Sequence, residues 1–139
     1  MPAGSRDDNG RWTETIDELA AETGRVARRL RGLSEPRLRR RLAPYGTVAD
    51  AGHRLAQALA DAAQGVEERG YASITRRPVP RLAVRALGDQ VDVTAGDLLA
   101  ALATLGPQDE VWAGGDRTSA HRLAADTVRL AHEIKLAID

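Results

Sequence analysis

The chain has 139 residues, 20 of them basic and 20 acidic, so its net charge is zero, and it contains no cysteine. That length fits one domain with one core, and the missing cysteine excludes disulfides, thiolate metal sites and cysteine nucleophiles. Sixteen Leu, nine Val and four Ile, with no Phe, must supply nearly the whole core. That share is close to the lower limit for folded chains of high charge.

Residues 1–11 are polar, with Asp7 and Asp8 adjacent, and read as a disordered segment ahead of a single helical domain over 12–139. A secretory signal is not expected there, and no apolar run approaches the roughly 18 residues of a membrane helix. The expected compartment is the cytoplasm. From Trp12 the apolar positions run Trp12, Ile16, Leu19, Thr23, Val26, Leu30, Leu33, alternating by four and three as in a heptad seam. A first helix over about 13–32 follows, with Thr13 or Thr15 as its cap, Thr15 and Glu18 at capping-box spacing, and Gly32 to Ser34 as its end.

Ser34-Glu35-Pro36 opens a short second helix carrying Leu38 and Leu42, and Pro44-Tyr45-Gly46 stops it. Thr47 with Asp50 caps a third helix, whose stripe Val48, Ala51, Leu55, Leu59, Ala62, Val66 is flanked by the small residues Gly52, Ala56 and Ala63. Pro78 and Pro80 forbid a helix across them. Beyond these prolines the alternation of Leu82, Val84, Ala86 and Val91, Val93 around Gly88-Asp89 permits a small hairpin near 82–93 or a short helix from Pro80 to Leu87.

Thr94 to Asp97 reads as the cap of a fourth helix with Leu98, Leu99, Leu102 and Leu105, ended by Gly106-Pro107. A glycine-rich loop with a turn signal at Gly114-Gly115-Asp116 precedes a last helix from Thr118 or Ser119, with Ala120, Leu123, Thr127, Leu130, Ile134 and Ala137 on one side. The expected fold class is all-α, an up-and-down bundle of about five helices.

Two surfaces stand out. The seam residues Trp12, Ile16, Leu19, Val26, Leu30 and Leu33 are the candidate interface for a second copy of the chain, because regular apolar surface left in water associates. Burial inside the bundle is the competing explanation. The block Arg25, Arg28, Arg29, Arg31, Arg37, Arg39, Arg40, Arg41 contains a single acid, Glu35, and sums to plus seven, enough to attract an acidic partner or nucleic acid. Against a nucleic-acid groove, the first-helix arginines spread over about 160° at 100° per residue, and no aromatic residue is interleaved for stacking.

His121 and His132 lie about 16 Å apart along the last helix, without an acid or histidine one turn away, and read as surface residues; His53 beside the third-helix stripe reads as partly buried. Together they predict no metal site, and neither serines nor paired carboxylates form a recognisable catalytic set. Trp112-Ala113-Gly114, between two helices, resembles the Trp-x-Gly turn of the small helical-hairpin proteins exported by type VII secretion. The match covers those three residues and implies a helix–helix turn there. Otherwise Trp112 with Val111 covers one end of the bundle.

The expected function is protein–protein contact without catalysis, including self-association, and with no cofactor. The alternative is a bundle that binds a small ligand, as sensor or enzyme, with Trp12, Tyr45, Tyr71 and Trp112 as pocket walls. Arginine-mediated nucleic-acid binding stands third.

Overall fold

The computed structural model describes residues 4–139. Its order is α1 (Gly4–Gly32), α2 (Glu35–Leu38), β1 (Arg41–Leu42), β2 (Gly46–Thr47), α3 (Val48–Glu67), a 3₁₀ turn (Val84–Ala86), α4 (Leu87–Leu102), β3 (Glu110–Ala113), β4 (Asp116–Ser119) and α5 (Ala120–Ile138). Helix accounts for 66% of the chain. The expected helical character holds, with two small antiparallel hairpins, β1–β2 and β3–β4, added to the helices.

Helix α1 starts at Gly4, well before the expected position 13, and residues 1–3 lie outside the described residues. Thr13 caps nothing: it sits inside the helix and its hydroxyl donates to the Asn9 carbonyl at 3.0 Å. Ser34 does cap α2, accepting from the Arg37 N–H at 3.4 Å. At α3 the expected capping box is complete, with the Thr47 N–H donating to Asp50 at 2.9 Å and the Asp50 N–H to Thr47 at 3.0 Å. Ser119 caps α5 by accepting from the Arg122 N–H at 3.1 Å.

The stretch near 82–93 forms no hairpin. Leu87, Val91, Ala95, Leu98 and Leu102 are all buried and recur at helical spacing, so burial of that stripe overrides the short alternation seen in the sequence. Helix α4 therefore begins before Thr94, whose hydroxyl donates back to the Gln90 carbonyl at 2.8 Å instead of capping. The hairpin forms instead at the glycine-rich loop, where Ala113 pairs with Asp116 around the two-residue turn Gly114-Gly115. Trp112 and Gly114 consequently belong to a β-hairpin, and the helix–helix turn implied by the type VII resemblance is not formed.

Helix α1 packs on α4 and α5, and α3 packs on the same two helices. The α1 seam lies in this core. Leu19 and Val26 have no exposed surface and Leu30 only 2%, while Trp12, Ile16 and Leu33 pack partly buried against it. Thr23 tolerates the seam because its hydroxyl donates to the Leu19 carbonyl at 2.7 Å. Of the candidate interface Trp12, Ile16, Leu19, Val26, Leu30, Leu33, the middle residues Leu19, Val26 and Leu30 are thus taken up by the chain's own core, while Trp12, Ile16 and Leu33 keep part of their surface exposed. The small residues flanking the α3 stripe do allow close approach. A Cβ on Gly52 would stand 2.7 Å from Leu87 and 3.0 Å from Leu30.

Candidate functional site

Residues 71–83, between α3 and the 3₁₀ turn, form an extended strap lying along the outer side of α3. Pro78 and Pro80 explain its shape, since each fixes φ, removes a donor and pushes the preceding residue out of the helical region. Among the described residues, no backbone N–H from 72 to 83 donates to another backbone group. Side-chain amides hold the strap instead. Gln64 donates to the Thr75 carbonyl at 2.7 Å, and Gln90 of α4 donates to the Pro80 carbonyl at 2.8 Å. Gln57 reads two residues, donating to the Arg77 carbonyl at 3.2 Å and accepting from the Val79 N–H at 2.8 Å.

Three arginines of the strap pair with three acids of α3 or its end: Arg81 with Asp50 at 2.9 Å, Arg76 with Asp61 at 3.1 Å and Arg77 with Glu68 at 3.1 Å. The strap thus runs antiparallel to α3. The positions that receive it, Asp50, Gln57, Asp61, Gln64 and Glu68, are spaced by seven, four, three and four, which places them on one face of the helix. The three glutamines are 5–8% exposed, and each makes at least one hydrogen bond to the strap backbone, while Gln57 also donates to Asp61 at 2.7 Å. The side chains of Arg76, Arg77 and Arg81 are 64%, 69% and 65% exposed, and exposed pairs of this kind contribute about 0.2–1 kcal/mol each.

Between the strap, α3 and α5 lies an open cleft of about 780 Å³, walled by Tyr45, Asp50, His53, Arg54, Gln57 and Arg81 among others. The hydrogen bond from Arg81, helped by those from Thr47 and by the charge of Arg81, holds the Asp50 carboxyl below the ordinary carboxylate range against its partial burial. Burial pushes His53 below the usual histidine value, and the charge of Arg81 adds to this while Asp50 opposes it. The cleft therefore presents a neutral imidazole beside an ionised, paired carboxylate. Asp61 is likewise paired, with Arg76.

The four aromatic residues expected as pocket walls do not line one common pocket. Tyr45 lines the cleft, whereas Trp12 donates to the Leu105 carbonyl at 3.3 Å and meets His121 edge-on. Trp112 donates to the Tyr71 carbonyl at 3.0 Å, with Arg117 stacked over its ring, so the second hairpin fastens the start of the strap. The cleft that Tyr45 lines is walled mainly by polar groups. His121 is no free surface residue, since it hydrogen-bonds Thr15 of α1 at 2.9 Å. His132 is half exposed and faces Glu22 at 3.5 Å. Among the described residues no three His, Asp or Glu side chains converge.

The arginine block is dispersed by its pairings. Arg31 turns to Asp89 and Asp92 of α4, Arg39 to Glu35, Arg25 to Glu22 and Arg29 to Asp139. Arg25, Arg28, Arg29 and Lys135 border one shallow hollow, while Arg37, Arg40 and Arg41 are exposed around α2 and β1. Burial pushes Glu22 up, but the hydrogen bond and charge of Lys135, with smaller contributions from His132 and Arg25, leave it below its ordinary value. Gln57, Gln64 and Gln90 escaped the sequence reading. For Gln57 and Gln64 the signal is a second, polar stripe on α3, legible only beside a segment that forbids helix; Gln90 stands alone on α4. The chain matches no protein-family model, no curated protein and no solved structure.

Proposed function

We propose that this chain is a non-catalytic interaction module that engages a protein partner through the strap-bearing face of α3. The observation that carries this reading is the strap itself: an exposed, extended segment bound to its own domain by side-chain amides and surface ion pairs, the chemistry by which domains recognise peptides. Pairing of the cleft carboxylates with arginines supports a binding role over acid–base chemistry. The packing of α1 and α3 each on α4 and α5 supports an up-and-down bundle over 12–139. Among the described residues no helix is long and apolar enough to cross a membrane, and we place the chain in the cytoplasm. Self-association through the α1 seam is not part of the proposal, because that seam is core.

The test is affinity purification from the native cells followed by reconstitution with the purified partner. A complex whose Kd changes at least ten-fold on Asp61→Lys supports the reading. Affinity unmoved by Asp50→Lys, Asp61→Lys and Glu68→Lys together overturns it. A second reading, binding of a small anion, is favoured by the cleft volume of about 780 Å³ and by Arg54, Arg76 and Arg81 on its walls. A thermal-shift screen of carboxylates and phosphates tests it, since a ligand at a hundred times its Kd adds about 2.7 kcal/mol of stability.

A further inference from the structure

We infer that the strap is the resident occupant of a peptide-reading groove on α3 and α4, and that an extended, arginine-bearing segment of a partner protein binds there by displacing it. This rests on the α3 face being the interaction surface and adds what that surface recognises. Three features of the groove fit such a ligand. Gln57 contacts a carbonyl and an N–H two residues apart, a pattern that reads extended backbone irrespective of side chain. Asp50, Asp61 and Glu68 supply negative charge for guanidiniums along the same line. The Gln90 side-chain oxygen, on a residue only 8% exposed, finds no donor among the described residues. The resident segment thus leaves one recognition atom unused, and a peptide offering an N–H at that point fits better.

The strap is also built to leave. Its ion pairs are solvent-exposed and its backbone forms no ladder, the attributes of segments that open locally while the core stays folded. Hollows of about 290, 780 and 220 Å³ flank it. The first two share Asp61 and Arg76, and the first and third share Gln64, so lifting the strap joins them into one trough along α3. Tethering gives the strap a high effective concentration, so a partner peptide must compete with it. The strap is in that sense autoinhibitory.

The experiment replaces residues 74–81 in the full chain by Gly and Ser at equal length and titrates a labelled peptide with the sequence of residues 72–83. Expected is saturable one-to-one binding at least ten-fold tighter than to the wild-type chain. It weakens at least ten-fold on Asp61→Lys, or when the peptide's arginines become glutamates. A strap-free chain with wild-type helicity that does not bind, or binds the glutamate peptide equally, overturns the inference; the α3-face reading then still stands or falls on the charge reversals with the real partner. Should the strap-free chain form a one-to-one complex with the wild-type chain, the occupant is a second copy and the partner assignment is overturned. If the replacement does not fold, hydrogen exchange of wild-type Val79 decides. Its N–H rests on Gln57 alone, and it must exchange at least ten-fold faster than the α3 core amides; exchange only with global unfolding refutes a displaceable strap.

Discussion

Leu30→Glu separates a core seam from an interface seam. Leu30 is 2% exposed, and its Cδ1 stands 3.0 Å from where a Cβ on Gly52 would lie, so its side chain presses on the α3 backbone. Removing a buried leucine side chain costs about 2–5 kcal/mol. A carboxylate left there without a partner adds several more, or takes up a proton to avoid the charge. Domains of this size hold about 5–15 kcal/mol in all. Leu30→Ala is therefore expected to remain folded with a urea midpoint lower by about 1–3 M, taking a slope of about 1.5–2 kcal/mol per M. Leu30→Glu is expected to lose its helical circular dichroism at neutral pH. Light scattering on the same samples supplies the molar mass. A wild-type dimer whose Leu30→Glu variant is a fully helical monomer would refute the core assignment and restore the seam as a contact between chains.

Gly65→Ala tests how closely the second hairpin sits on α3. A Cβ there would stand 2.0 Å from the Trp112 carbonyl oxygen, a backbone atom that cannot swing aside, so a loss of about 1–3 kcal/mol is expected in urea unfolding; an unchanged midpoint would mean that the hairpin is not seated as described. The His53 shift gives a pH dependence. Because its folded value lies below 6.5, the unfolded chain binds more protons, so stability is constant above about pH 6.5, falls as pH drops below it, and levels off below the folded value. His53→Gln should flatten that part of the profile, and a variant curve parallel to wild type would show that His53 is not the group responsible.

Much of the helical framework is decided by local sequence. Thr47 with Asp50, Ser34 before Pro36 and Ser119 each cap the helix that they precede, since a cap needs only a side-chain oxygen and the N–H groups a turn ahead. The stripe from Val48 to Val66 is buried as its period requires, and Gly114-Gly115 makes the turn. The α1 seam, by contrast, has the same period whether it faces a neighbouring helix of its own chain or a second chain; only the arrival of α4 and α5 against it makes it core. The stretch from Leu82 to Val93 satisfied a strand period and a helix period together over its few residues, and burial against α1 and α3 chose the helix. The strap required both contributions. Its prolines dictate an extended backbone locally, but the amides that hold it belong to Gln57, Gln64 and Gln90, which are ten to 22 residues from their partners along the chain. A glutamine on a helix is an ordinary exposed residue until the fold returns a segment that lacks its own hydrogen-bond partners. That return is a property of the tertiary structure, because the energy of satisfying a buried amide exists only once the two segments meet.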